Sequence, residues 1–405
     1  MAISIIEALN IIDALPIRTK QELLCIEDAV GRIATQDVYA SLNLPLFDNS
    51  AMDGFAVKVE DAGKQVKLAG TVLAGEDKSF TLQSGECIKI MTGAKIPEGT
   101  EAIVPIEDVT FEGNMIHLPK KIKLYNHIRK AGEDIEQGEK LIQKGEYLNA
   151  YKIGLLASQG ISHIQVYKRI HIAIFATGHE LKMAYETLEE GQIYNSNTPS
   201  LYARCKELGC DVSFLGKVED SIEAIVEAIK NGLHADIIIT SGGVSVGEAD
   251  FTKDAFKQLG MEILFSKIDI KPGKPTTLGK IGNTYVLNLP GNPLAAIINF
   301  EIFGRFLIKK LQGRIDAYHQ PFHIPLAQEI KNKPGRDTAI PGRFDGEAFY
   351  PLDKRGPGMV RPASLMDGYI ILDKDVEILK KGKKVLMLPL FEHRGSDMML
   401  QIITS

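Results

Sequence analysis

A chain of 405 residues, 44% apolar and 24% charged, belongs with water-soluble globular proteins, and its length predicts roughly two to four domains. The formal net charge of −5 gives no general pull toward nucleic acid or anionic lipid, and no apolar run is long enough to span a membrane. Glu7 and Asp13 within an amphipathic N-terminal pattern do not suit a secretory signal, and four scattered cysteines (Cys25, Cys87, Cys205, Cys210) complete no zinc pattern; reduced thiols in a cytoplasmic protein are expected.

Ser4 and Glu7 carry the capping-box signature, and Ile5, Ile6, Leu9, Ile12 and Leu15 follow with helical period. Glu22–Ala34 reads as a second helical stretch ending near Gly31. From about Leu46 to Gly138 the character changes. Short runs at Val66–Leu73, Cys87–Met91, Ala102–Ile106 and Met115–Leu118, separated by Gly, Pro, Asp and Asn, predict a small β-rich domain. Tyr147–Gln159 returns to helical period and is expected to pack with the N-terminal helices around that insertion. The predicted helical domain therefore comprises residues 1–44 plus 139–168, with the β insertion at 45–138.

The next section alternates strand and helix. Strands are predicted at Ile170–Ala176, Val212–Val218, Asp236–Thr240, Glu262–Lys267 and Thr284–Leu289. Helices are predicted at Thr198–Leu208 (opened by a Thr cap before Pro199), Ile222–Gly232, Phe251–Leu259 and Leu294–Leu311. This pattern over 169–314 implies a doubly wound, mostly parallel α/β sheet, whose ligands bind at the carboxyl ends of the strands. The three most unusual loops, Thr177–Leu181, Ser241–Asp250 and Pro290–Pro293, all fall at those ends. Residues 315–405 are β-rich again, with turn signals at Pro334-Gly335, Pro341-Gly342, Gly356-Pro-Gly358 and Asp367-Gly368.

The richest stretch is Asp236–Phe251, DIIITSGGVSVGEADF. A β-branched run stops at Ser241-Gly242-Gly243, where glycines let backbone N–H groups approach an anion. Glu248 and Asp250 set carboxylates beside it, which suits a phosphate or oxyanion bridged by a divalent cation. A tight strand-to-helix turn with solvated acids is the competing reading. Lys271-Pro-Gly-Lys274-Pro275 places two ammonium groups on a proline-stiffened turn, suited to an anion or merely exposed. Pro293 after Leu289-Pro290-Gly291-Asn292 marks a helix start whose free N–H groups favour an anion, or a plain structural turn. In Thr177-Gly178-His179-Glu180 the acid could hold a metal or a hydroxyl, and His179 reads as a solvated loop residue. Asn49–Phe55, NSAMDGF, has no clean period and reads as a site loop. Met91–Ala94 and Arg129–Asp134 read individually as turns. Neither a Ser/His/Asp or Cys/His nucleophile set nor a G-x-x-x-x-G-K-[ST] loop can be identified.

Eight strings together resemble one family, the molybdopterin molybdenumtransferases (the MoeA and gephyrin E-domain proteins). They are NSAMDGFAV (49–57), MTGAKIP (91–97), RKAGEDI (129–135), ATGHEL (176–181), YNSN (194–197), TSGGVSVGEADF (240–251), KPGKP (271–275) and LPGNP (289–293), in the family's order. The resemblance implies an elongated helical dimerisation domain, an inserted β domain, an α/β molybdopterin-binding domain and a C-terminal β-barrel-like domain. It also implies a homodimer with sites between domains of different subunits. The implied reaction is molybdenum cofactor synthesis: adenylylated molybdopterin and molybdate are consumed, AMP is released, and Mg2+ assists. A molybdopterin adenylyltransferase and recipient molybdoenzymes are the implied protein partners, with neither nucleic acid nor membrane.

By resemblance, Asp53, Glu180, Asp220 and Asp250 are the catalytic acids, with Glu180 and Asp250 as metal ligands and Asp53 acting from the other subunit. Thr92, Asp134, Ser241, Gly242, Gly243, Lys271, Lys274, Pro290, Gly291, Asn292 and Arg343 are the implied substrate-binding residues. The chain departs from the pattern at His179, where the family usually has Asp, and at Gly356–Pro362, where it usually carries serines. Two alternatives stand beside this reading: a same-fold enzyme handling tungstate, and a non-catalytic dimeric scaffold.

Overall fold

The computed structural model describes residues 2–18, 20–76, 79–242 and 251–390. The first helix, Ile5–Asp13, is set by the predicted capping box. Ser4 Oγ accepts from Glu7 N at 3.2 Å, and Glu7 Oε2 accepts from Ser4 N at 2.7 Å. Its buried stripe, Ile5, Ala8 and Ile12, does not meet the helical segment near residue 150 as expected. It packs into the core of the α/β section, beside helix Arg305–Leu311, where Lys310 Nζ and Tyr318 Oη both donate to Asp13 Oδ1 at 2.9 Å.

Glu22–Ala34 is not a helix. Gln21–Cys25 is a strand paired antiparallel with His163–Tyr167, followed by a single 3-10 turn, Ile26–Ala29. The apolar residues Leu23, Leu24 and Ile26 fit either period, and pairing with a distant strand outweighs the local preference. Helix Ala150–Ser158 does form and packs on that turn, with Ile26, Ala29, Leu148, Leu156 and Val166 at the centre of a small core. This region is therefore mixed rather than helical.

The insertion is a six-stranded sheet in the order Ala102–Pro105, Gly54–Val57, Glu86–Ile90, Gln65–Val72, Met115–His117, Thr110–Glu112. Its alternating side chains feed two cores, around Phe55 and Val66 on one side and Ile88 and Ile103 on the other.

The central sheet runs Asp211–Val218, His171–Thr177, Ile237–Ser241, Thr284–Leu289, Thr277–Ile281, Glu262–Phe265. The first four strands are parallel and the last two join antiparallel. Ile172, Ile174, Ile237, Ile239 and Leu287 face one helical layer, while Ala173, Phe175, Ile238 and Val286 face the other. The sheet is thus covered on both sides, as the alternation predicts. Strand Thr277–Ile281 is absent from the sequence reading because its Gly/Pro-rich approach looks like loop. Gly279 is needed there: a Cβ would fall 2.7 Å from Glu262 O. Helix Ile222–Gly232 forms as predicted, with Ser221 Oγ accepting from Ala224 N. The segment predicted as one helix to Leu311 comprises Pro293–Asn299, a π-helical turn at Phe300–Gly304, and Arg305–Leu311.

The C-terminal sheet runs Ile270–Lys271, Asp337–Phe344, Gly368–Leu372, Lys384–Pro389, Phe322–Pro325. Its first strand comes from the α/β section and pairs parallel with Asp337 and Thr338, which fastens the KPGKP turn to the tail. Among the described residues no helix is long and apolar enough to cross a membrane.

Candidate active site

The carboxyl ends of His171–Thr177, Ile237–Ser241 and Thr284–Leu289 open into one cleft of about 860 Å³. Gly242 lets these ends converge. Gly242 has φ +106°, and a Cβ on it would fall 2.5 Å from Thr177 O; a Cβ on Gly291 would lie 3.5 Å from Gly242 Cα. Asn197, the first residue of helix Asn197–Glu207, ties two strand ends together. Its Nδ2 donates to Ser241 Oγ at 2.8 Å and to Gly291 O at 2.7 Å, and Ser241 Oγ donates onward to Pro290 O at 3.2 Å. The predicted Thr cap of this helix does not form. Thr198 lies inside the helix, its N donating to Asn195 Oδ1 at 3.1 Å and its Oγ1 accepting from Asn195 Nδ2 at 2.9 Å.

Glu180 and Asp220 both line the cleft. The Glu180 carboxylate folds back over Gly178, where a Cβ would meet Oε2 at 2.8 Å. Among the described residues, Asp220 Oδ1 is buried without a hydrogen-bond partner, and so are Thr177 Oγ1 and Asn197 Oδ1. Unpaired buried polar atoms cost stability, and their gathering at one cleft marks a place for a ligand. Gly243 and Asp250 lie outside the described residues. Among the described residues no group of three or more His, Cys, Asp and Glu side chains gathers around a metal position. Two carboxylates facing a cleft nevertheless fit Mg2+, which commonly takes one or two carboxylates and completes its shell with water and substrate phosphate. His179 is exposed and does not line the cleft, in line with its solvated reading.

The loops carrying the predicted anion groups differ from expectation in two respects. The KPGKP turn is pinned, but by its backbone. Gly273, at φ +106°, sits where any Cβ would strike Asn299, whose Nδ2 donates to Pro272 O at 3.0 Å and Ala295 O at 2.7 Å. Lys271 and Lys274 are exposed, and only Pro275 of this turn lines the cleft. At the helix start by Pro293, the free amides are already used: Leu294 N and Ala295 N donate to Pro357 O of the C-terminal domain at 3.0 and 3.4 Å. Pro290, Gly291 and Asn292 do line the cleft, joined by Gly358 and Val360 from that same tail loop. Arg343 is exposed on strand Asp337–Phe344 and contributes nothing to the lining.

A second group of predicted residues assembles on the insertion. Asp53 Oδ1 accepts from both Thr92 N and Thr92 Oγ1 at 2.7 Å, and these bonds hold its carboxyl below the usual aspartate range. Ser50 N donates to Ala94 O, and Gly93 N to Ser50 O, so the NSAMDGF and MTGAKIP strings interlock. Asp48 binds Lys130 Nζ at 2.7 Å and Ala131 N at 2.9 Å, bringing in RKAGEDI, where Asp134 is exposed. Asp53, Thr92 and Asp134 do not line the strand-end cleft of the same chain.

Residues 3–160 match the model of the MoeA N-terminal region (domain I and II), 173–310 that of a probable molybdopterin binding domain, and 323–390 that of the MoeA C-terminal region (domain IV). A molybdopterin molybdenumtransferase of Haemophilus influenzae is 35% identical over 400 residues, covering 95% of this chain and 97% of that one. The chain belongs to the molybdopterin molybdenumtransferase family. A Staphylococcus epidermidis relative of the same description is 32% identical over 336 residues, 81% of this chain and 80% of its own. Two solved structures of molybdopterin biosynthesis MoeA proteins from Pyrococcus horikoshii match 97% and 96% of this chain and 100% of theirs, with TM-scores of 0.83 and 0.84 at 30% and 24% identity.

Within this molybdenumtransferase frame, the site residues to which sequence reasoning gave no role are Thr177, Asn197 and Pro357. Asn197 stood in the quoted YNSN string, and a polar Asn-Ser-Asn run opening a helix was its signal. Pro357 had no such signal, because its role is a main-chain carbonyl that any residue carries.

Proposed function

We propose that this protein inserts molybdenum into molybdopterin, taking the adenylylated form with molybdate and releasing AMP. The observation that carries the reading is the strand-end cleft, where the Glu180 and Asp220 carboxylates gather with two further buried oxygens, Thr177 Oγ1 and Asn197 Oδ1, that have no partner among the described residues. Glu180 and Asp220, which both line the cleft, would hold Mg2+, which when bound would neutralise phosphate charge at the adenylate. Ser241, Gly242 and the 290–292 turn form the floor on which the substrate lies. Lys271 and Lys274 act at the mouth, as exposed cations that attract the anionic substrate and molybdate.

Asp53 supplies the complementary group from a second copy of the chain. Both of its hydrogen bonds go to Oδ1, which fixes the carboxylate and leaves Oδ2 to orient a water or molybdate oxygen toward phosphorus. This division requires a homodimer, and it is supported by the absence of Asp53 and Thr92 from the cleft of their own chain. The test is AMP release from adenylylated molybdopterin with molybdate, with tungstate, or with neither, at fixed Mg2+. Molybdate-dependent release, with metal found afterwards on the pterin, is the expected result. A folded dimer releasing no AMP under any condition would refute the reading.

A further inference from the structure

Thr177 and Asn197 are 3% and 8% exposed, and each keeps one buried side-chain oxygen without a hydrogen-bond partner among the described residues. The orientation of the Asn197 amide is decided by its surroundings. Gly291 O can only accept, and the Ser241 hydroxyl spends its proton on Pro290 O, so Nδ2 must face both and Oδ1 is the open end. Asn197 and Thr177 line the same cleft, with Thr177 Oγ1 beside Gly242. A Cβ there would lie 3.2 Å from Thr177 Oγ1, while Gly291, which Asn197 holds, abuts the Gly242 Cα. A fixed amide carbonyl repels phosphate and molybdate and calls for an N–H donor. The Thr177 hydroxyl, without a partner among the described residues, is free to rotate and can donate in turn.

We propose that Thr177 and Asn197 read an aminated heterocycle edge of the substrate. Asn197 Oδ1 accepts from the exocyclic amino group, and Thr177 Oγ1 donates to the adjacent ring nitrogen. The inference rests on the cleft being the substrate site, and it assigns its floor to a ring rather than to an anion. Adenine and pterin both carry such an edge, and binding data separate them. The free protein tolerates the two unpaired atoms because the ligand completes them.

Thr177→Val removes the hydroxyl at nearly constant shape and breaks no bond of the free protein. It should therefore melt at or above the wild-type temperature. By calorimetry it should bind one ring-bearing probe, AMP or molybdopterin, roughly tenfold more weakly. Thr177→Ser, which keeps the hydroxyl, should restore wild-type affinity. A loss confined to AMP places adenine on the floor, and a loss confined to molybdopterin places the pterin there; either supports the proposal. Unchanged binding of both probes, failure of wild type to bind either, a loss confined to Mg2+, or a clearly lowered melting temperature would overturn it. Failure of the functional reading shows separately, as absent molybdate-dependent AMP release from the wild-type protein.

Discussion

The carbonyl of Pro357 accepts a hydrogen bond from the amide of Leu294 at 3.0 Å, so the C-terminal domain caps a helix that starts at the cleft. Ala295 N shares that acceptor, and Gly358 and Val360 follow as part of the cleft wall. Pro357→Ala retains the carbonyl but frees the loop backbone in the unfolded chain. It should lower stability by about 0.4–1 kcal/mol, measured by urea unfolding, and raise KM for adenylylated molybdopterin more than it lowers kcat.

Gly242→Ala should be severe. The residue sits at φ +106° and its Cβ would fall 2.5 Å from Thr177 O, so strain of about 1–3 kcal/mol adds to displacement of the strand end. Gly291→Ala makes an informative contrast. Its Cβ finds only Gly242 Cα at 3.5 Å, so the variant should fold normally while losing activity through a narrowed floor. Thermal melts and AMP-release rates on the pair test both statements.

Thr92 sets the charge state of Asp53. Two hydrogen bonds from Thr92 lower the Asp53 pKa from its ordinary value of 3.8, so the carboxylate persists to lower pH than a free aspartate. The sign follows: this stabilisation is present above the unfolded-state pKa and is lost as pH falls through the folded one. In Thr92→Ala the Asp53 titration, followed by carbon NMR of the carboxyl, should move up toward 3.8, with a small fall in melting temperature at neutral pH that vanishes at low pH. An unmoved titration would show that the backbone amide alone sets it.

Glu301 is 2% exposed and grips Arg204 through two bonds, Nε to Oε1 at 2.7 Å and Nη2 to Oε2 at 3.2 Å. Arg204 also donates to Leu390 O at 2.6 Å, joining the α/β section to the last strand region. Glu301→Ala removes two charge-assisted bonds from a part-buried guanidinium that keeps Glu207 and the Leu390 carbonyl, and should cost about 1.5–3 kcal/mol in denaturant unfolding. Adding Arg204→Met should recover part of that loss, because the less well paired charge goes with it.

Much of this molecule was legible in its sequence because the deciding physics is local. The capping box at Ser4 and Glu7, the β-branched run before Gly242 and the helix after Ser221 depend on residues within one turn or one strand of each other. The cleft was legible too: strand–helix alternation implies a parallel sheet, and the loops at its carboxyl ends have nowhere else to converge. What only tertiary structure decided depends on partners far along the chain. Gln21–Cys25 became a strand because His163–Tyr167 lies beside it, and the first helix found its partner around residue 310. The donors beside Pro293 went to a carbonyl 60-odd residues away, which leaves no trace in composition or period. The split of the predicted site into a strand-end cleft and an Asp53–Thr92 group on the insertion is of the same kind. Side-chain chemistry names the groups a site can use, but which of them share a surface is set by packing between domains, and no local pattern records it.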